Sequence, residues 1–455
     1  MHAEELGLPS PLRAYQWEGV SFLARNKCAL LADEMGLGKT VQAAVALQLV
    51  LRLKDCDRAL IVTPASLRLN WERELARWAS HLVVRQLRGT SRERAALFML
   101  PVHVLIASYE QIRIDAASID PRVHFDVVIL DEAQRIKNAG SATAFASRLL
   151  PRSRAWALTG TPVENKPDDL VSIFGFLRFG LIYSGMGRAE IHRRMQRHFL
   201  RRKKKDVLAE LPPIIMQDLP LELQGRQKEA YDAVWESRQD LARANGVPVS
   251  QANLLALITR LKQLCNYDPA SGESVKFDAL TLILESLSVT TDKVIVFSQY
   301  VQTLEWLSKN LTNFPHGLYH GQQSERERDN ILSSFRGEPG PRALLVSLKA
   351  GGVGLNLQEA SSVVLFDRWW NPAMEDQAIQ RAHRFGRERP LHVFRFLVTG
   401  SVEERIAAVL GDKRRLFERY VEMAENAMVK VFSKDELRRI LDMTPPEVDG
   451  DLPSE

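Results

Sequence analysis

A chain of 455 residues is longer than one ordinary core, so two or three domains are expected. Hydrophobic residues at 45% and charged residues at 26% exclude a fibre or a chain disordered throughout. The formal net charge of +5 permits nucleic-acid binding without establishing it.

Met1-His2-Ala3-Glu4-Glu5 lacks a signal pattern, and no uninterrupted apolar run approaches ~18 residues, so a soluble intracellular protein with no membrane partner is expected. Cys28, Cys56 and Cys265 are far apart and show no metal-ligand spacing, and read as buried thiols in a reducing compartment.

The first informative stretch is Leu12–Gly19, in which the amide of Gln16 offers both a donor and an acceptor suited to the edge of adenine. The apolar run Cys28–Ala32 then leads into Asp33-Glu34-Met35-Gly36-Leu37-Gly38-Lys39-Thr40, followed by the helix-forming Val41–Leu47. Strand, tight loop and helix is the order a phosphate cradle needs: the glycines turn backbone N–H groups onto an anion, and the helix N-terminus adds positive character. Lys39 would reach the β/γ-phosphates and the Thr40 hydroxyl would hold Mg²⁺. Asp33 stands where this pattern ordinarily begins with glycine.

Four further strand-like runs follow, each ending in small or polar residues: Arg58–Val62, Val102–Ile106, Asp126–Leu130 and Ala155–Leu158. Helical segments such as Leu67–Trp78 lie between them, so the first half reads as an α/β parallel sheet with ligands at the strand carboxyl ends. Asp131 at such an end would hold Mg²⁺, and Glu132 would orient and deprotonate the attacking water. An isolated Asp-Glu pair would read as a helix cap; beside Lys39 and Thr40 in one sheet it reads as catalytic.

A second set of strand-like runs covers Val294–Phe297, Ala343–Val346 and Ser362–Phe366, without a second Gly-Lys-Thr loop. Gln377–Arg384 is an arginine-rich helical stretch in which Arg381 and Arg384, three apart, should share one face. Such a helix is either solvated or a source of charge for a transferring phosphate.

Taken in order, these motifs resemble the Swi/Snf-type DNA translocases of helicase superfamily two. The resemblance rests on Asp33–Thr40, on Asp131-Glu132-Ala133-Gln134 and on Leu158–Asn165. Leu200–Pro213 and Leu261–Tyr267 resemble two signatures that separate this branch from other helicases, and the likeness runs from about Leu12 to about Leu441. Tyr267, Arg387 and Glu164 depart from the usual residues and bear on placement within the family rather than on catalysis.

The resemblance implies two tandem RecA-like parallel-sheet lobes with a short helical insertion and C-terminal brace helices. The lobes are expected at 1–214 and 215–445, with the helical protrusion near 222–268, brace helices near 402–441 and a disordered acidic tail from 446. It implies ATP and Mg as cofactors, with Gln134 in the catalytic set and Gly354 and Gln377 beside the nucleotide. It also implies that Arg381 and Arg384 are finger residues at the γ-phosphate. Motif by motif it carries a track for double-stranded DNA onto Thr63, Ser108, Thr159, Ser298, Gln299, Ser347 and Lys349, with Trp370 as a coupling residue. Arg193, Arg194 and the run Arg201–Lys205 would add backbone contacts.

The function implied is an ATP-dependent translocase that displaces DNA-bound proteins without separating strands. A strand-separating helicase and an ATP-gated binding module are the alternatives. The chain is expected to be a monomer on its own, with targeting either by a separate subunit or by the remainder of a larger protein of which this is the motor half. It is expected in the cytoplasm at the nucleoid if prokaryotic, which the compact insertion favours, and in the nucleus if eukaryotic.

Overall fold

In the computed structural model the described residues are 6–53, 56–160, 167–207, 211–238, 240, 250–288, 292–348, 355, 357–369, 372–384, 387–417 and 432–443. The chain divides into two compact units, Met1–Leu211 with Arg384–Gly386, and Pro212–His383 with Arg387–Glu455. The division falls after Leu211 rather than after 214 because the strand beginning at Ile214 belongs to the second sheet.

The first unit is built on β1 (Cys28–Leu31), β2 (Ala59–Thr63), β3 (Val84–Gln86), β4 (Val104–Ser108), β5 (Phe125–Asp131), β6 (Arg152–Leu158) and β7 (Phe199–Leu200). They form one sheet in the order β3-β4-β2-β5-β6-β1-β7, and every pairing is parallel. Every residue of β2 and β4 is buried, as expected of central strands covered by helices on both faces.

Register sets the functional geometry. Leu158 pairs with both Leu31 and Asp131, Val62 pairs with Leu130, and Thr63 pairs with Ser108. Five adjacent strands therefore end level, and the loop after Leu31 leaves the sheet on the same edge as Asp131.

The second unit contains β8 (Ile214–Leu221), β9 (Lys293–Ser298), β10 (His316–Tyr319), β11 (Ala343–Ser347), β12 (Ala360–Leu365) and β13 (Leu391–Val398). Their order is β10-β11-β9-β12-β13-β8, again all parallel. The parallel α/β architecture expected from the sequence is thus present in both units. Sequence reasoning did not find β3, β7, β8, β10 and β13. Four of these are the outer strands, short or half-exposed, so their apolar signal is weak; β13 alternates buried and half-buried residues.

The helices Gly225–Glu236 and Gln251–Asn266 correspond to the expected protrusion, although residues 239 and 241–249 lie outside the described set. They share one apolar cluster with Val402–Phe417 and Lys434–Ile440, through Tyr231, Ile258, Leu261, Ile406 and Leu437. Of the expected brace, 418–431 lies outside the described residues, as does the acidic tail. No helix among the described residues is long and apolar enough to cross a membrane.

Candidate active site

The loop between β1 and the helix Lys39–Arg52 turns on two glycines with left-handed backbone, Gly36 at φ 90° and Gly38 at φ 77°. A side chain at either would be strained by that conformation. A Cβ on Gly38 would also meet Gln16 Nε2 at 2.8 Å, so the predicted adenine-side glutamine lies against the loop. Gln16 Oε1 accepts from the Arg13 backbone N–H at 3.0 Å, capping its own helix.

Lys39 Nζ donates to the carbonyls of Asp33 at 2.7 Å and Glu34 at 3.4 Å. Burial pushes its pKa down, against the pull of Glu132, Asp33 and Asp131. An anionic phosphate in the loop would relieve that penalty, and the glycine cradle fits one. Glu34, Met35 and Thr40 are half-buried around the loop, and Leu37 is fully buried.

Asp33 anchors the phosphate loop through an ion pair. Its carboxylate is fully buried and paired with Arg202, Nη2 to Oδ2 at 2.5 Å and Nε to Oδ1 at 3.0 Å. Gln42 Nε2 reaches both Asp33 Oδ2 (3.2 Å) and the Leu37 carbonyl (2.9 Å), while its Oε1 accepts from Arg202 Nη2 at 2.9 Å. Arg202 also bonds the Tyr15 carbonyl, and the Lys204 backbone N–H donates to Glu34 Oε2 at 2.8 Å. The expectation that the run Arg201–Lys205 reaches outward to DNA therefore fails for Arg202 and Lys204. Both side chains are buried against the phosphate loop.

Asp131, the last residue of β5, is buried and held from three directions. Its Oδ2 accepts from Trp71 Nε1 at 2.8 Å and Thr63 Oγ1 at 3.0 Å, and its Oδ1 accepts from the Glu132 N–H at 3.0 Å. The Tyr109 hydroxyl donates to its carbonyl at 2.7 Å. Burial, then the charge of Glu132, pushes its pKa up to about 6, while Trp71, Thr63 and Lys39 act in the opposite direction.

Glu132 adopts a left-handed backbone, φ 52°, which few non-glycine residues do. Its Oε2 accepts from Gln134 Nε2 at 2.6 Å, and Gln134 Oε1 in turn accepts from Thr159 Oγ1 at 2.8 Å. The strained turn thus aims the carboxylate along a fixed chain of hydrogen bonds.

Among the described residues no group of three or more His, Cys, Asp or Glu could hold a metal ion by itself. The donor set nevertheless fits Mg²⁺, which takes one or two carboxylates and completes its shell with water and phosphate oxygens. Asp131 and Thr40 are the residues that would hold it.

The proposed DNA track looks inward at several points. The hydroxyls of Thr63 and Thr159 are spent on Asp131 and Gln134, and Ser298 Oγ donates to Asp367 Oδ2. Ser108 caps the helix Tyr109–Asp115, accepting from the Gln111 N–H at 3.3 Å. Gln299 donates from its backbone to Asp367 Oδ1 at 3.0 Å, and Ser347, at the end of β11, is buried. Lys349, Gly354 and Trp370 lie outside the described residues, as does the stretch 161–166 of the third motif.

Gln377 and Arg381 lie on the helix Pro372–Ala382; Gln377 is half-buried and Arg381 buried. Arg384 is half-buried and lies beyond the end of that helix, so the two arginines do not share a helical face as their spacing suggested. The backbone N–H of His383 still bonds the Ile379 carbonyl, but its imidazole is engaged with the Pro212 carbonyl at 2.7 Å, and the regular helix stops there.

Around Asp367 the second unit holds a buried ionic network. Asn266 Nδ2 donates to Asp367 Oδ2 at 3.2 Å, Lys276 Nζ donates to Asn266 Oδ1 at 3.1 Å and pairs with Glu403 at 2.7 Å, and both charges are fully buried. Lys262 Nζ donates to the Arg368 carbonyl at 2.6 Å, and burial pushes its pKa down to about 8. The Leu261–Tyr267 signature thus anchors to the strand ends of its own sheet.

Comparison with known proteins bears on the family of the chain. The model of the SNF2-related domain matches residues 15–270, and that of the helicase conserved C-terminal domain matches 275–386. An ATP-dependent helicase of uncharacterised function from Mycoplasma pneumoniae is 36% identical over 89% of this chain and 42% of its own length. The ISWI chromatin-remodeling complex ATPase of Saccharomyces cerevisiae is 30% identical over 93% of this chain and 42% of its own length. The chain spans about half the length, or less, of the curated relatives it matches. A solved Sulfolobus solfataricus SWI2/SNF2 ATPase core in complex with dsDNA is similar at 29% identity and a TM-score of 0.45, covering 96% of this chain and 98% of that one. With both family models matched in order and the phosphate loop and Asp131–Glu132 at one sheet edge, the chain belongs to the SNF2-related domain family, with a helicase conserved C-terminal domain.

Proposed function

We propose that this chain hydrolyses ATP and converts the cycle into translocation along double-stranded DNA, displacing bound proteins without separating strands. The observation that carries the catalytic half is the level edge formed by Leu31, Leu158 and Asp131, which brings Lys39 and Glu132 to one side of one sheet. Lys39 neutralises phosphate charge, Thr40 and Asp131 would hold Mg²⁺, and Glu132, aimed by Gln134, orients and deprotonates water. When bound, the metal would supply charge stabilisation at the phosphate oxygens. Arg381 and Arg384 are assigned to the γ-phosphate as finger residues, worth ~10³–10⁵ in rate where such residues are used.

The choice of double-stranded DNA rests on the branch signatures Leu200–Pro213 and Leu261–Tyr267 and on relatives named as chromatin-remodeling factors. Thr63 and Thr159 then become couplers: Thr63 ends β2 and its hydroxyl engages Asp131, and Thr159 directly follows β6 and its hydroxyl engages Gln134, the partner of Glu132. Targeting by a separate subunit remains part of this reading.

The test is the ATPase rate with double-stranded DNA, single-stranded DNA and RNA, beside triplex displacement and duplex unwinding. Stimulation by the duplex with triplex displacement and no unwinding is expected; stimulation by RNA alone, or efficient unwinding, overturns the reading. Lys39→Ala, Glu132→Gln and Arg384→Ala should each abolish turnover while thermal unfolding stays cooperative.

A further inference from the structure

At the opposite end of the first sheet lies a cavity of about 430 Å³. Its walls include Cys28 and Arg152, which begin β1 and β6, so it opens at the amino ends of strands whose carboxyl ends form the catalytic edge. Arg148, Arg152 and Arg178 all line it, and no aspartate or glutamate is among the lining residues.

The three arginines are arranged unequally. Arg152 is fixed: its guanidinium donates to the carbonyls of Arg148, Leu150 and Phe176, and it stacks over the Phe176 ring at 4.1 Å. These carbonyls orient the cation without cancelling its charge, and burial pushes its pKa down to about 10. Arg148 donates through Nη2 to the Ala139 carbonyl, but its Nε is buried with no hydrogen-bond partner and lies beside Gly175, where a Cβ would be 3.8 Å away. Arg178 is exposed at the rim.

Uncompensated cations against apolar walls favour an anionic occupant. The rim indicates which kind. Phe179 is 88% exposed and lines the cavity; beyond the lining, Phe145 and Leu149, also exposed, stand one turn apart on the helix Ala142–Leu149 that carries Arg148. Exposed aromatic and aliphatic side chains around arginines are the composition of a protein-binding surface. A nucleic-acid backbone would instead follow an open basic groove.

We propose that this cavity docks an acidic peptide segment of a partner protein, with a carboxylate side chain entering between Arg148 and Arg178 and a neighbouring apolar side chain resting on Phe179. The site is remote from the phosphate loop, so the proposal stands apart from the translocase reading.

The test is fluorescence anisotropy with a fluorescein-labelled peptide of alternating glutamate and phenylalanine, alongside a labelled duplex oligonucleotide, using the full chain. The peptide should bind wild type and lose at least tenfold in affinity with Arg178→Glu and with Arg148→Gln. Arg178 is exposed, so Arg178→Glu should fold, and its duplex binding and basal ATPase should match wild type. No peptide binding, equal binding by wild type and both variants, or displacement of the peptide by duplex with matching loss of duplex affinity in Arg178→Glu would each overturn the proposal. The last outcome would make the cavity a nucleic-acid site.

Discussion

The indole N–H of Trp71 donates to Asp131 Oδ2 at 2.8 Å, so a helix that follows β2 holds the carboxylate that ends β5. Both residues are buried, and Thr63 at the end of β2 supports the same oxygen. An event at the end of β2 has a direct mechanical route to Asp131, the proposed magnesium ligand.

Replacing Trp71 with phenylalanine keeps an aromatic ring but removes the donor. Outer-shell donors to metal-binding carboxylates typically contribute about 10–100-fold in metal affinity or activity. Trp71→Phe should therefore raise the Mg²⁺ concentration needed for half-maximal ATPase by about tenfold or more while far-ultraviolet circular dichroism is unchanged. An unaltered magnesium titration would show that the indole only fills space.

Asp131 gives a pH signature. Its pKa is raised from the ordinary 3.8 to about 6, so ionisation is disfavoured in the folded protein. The stability it contributes is complete below about pH 4 and is lost as pH rises through about 6. Magnesium binds the ionised form, so the melting-temperature increase caused by Mg²⁺ with nucleotide should be larger at pH 7 than at pH 5. Equal increases at both pH values would remove Asp131 from the metal site.

The Asp33–Arg202 pair ties the phosphate loop to the segment after β7. Removing one partner of a buried pair leaves an uncompensated charge, at a cost of about 3–5 kcal/mol. Asp33→Gly restores the glycine common to phosphate loops, yet should destabilise the protein in urea unfolding and weaken ATP binding. The double change Asp33→Gly with Arg202→Met should recover part of the stability, because no lone cation remains. Full stability in the single variant would contradict the buried pairing.

In the second unit Lys276 and Glu403 are both fully buried. Lys276→Met should cost about 3–5 kcal/mol in unfolding free energy, by the same logic. Lys262 acts in the opposite sense. With its pKa lowered to about 8 from 10.5, the unfolded chain binds more protons between those values, and stability should rise with pH across that window. A Lys262→Met variant should lack that rise, which stability measured from pH 8 to 10.5 would check.

The sequence by itself determined the parallel α/β class, the phosphate loop and the acidic pair, because each is a local pattern. Buried parallel strands are continuous apolar runs, the cradle needs Gly36, Gly38 and Lys39 within a few residues, and Asp131 directly ends such a run. Tertiary structure alone decided what those residues touch. Asp33 and Arg202 are 169 positions apart, and Trp71 and Asp131 are 60 apart. No periodicity links such pairs. Whether a basic run faces solvent or the phosphate loop, or whether a threonine meets a ligand or a carboxylate, depends on strand order and register. Those are set by how the whole sheet packs, and the sequence shows them only once folded.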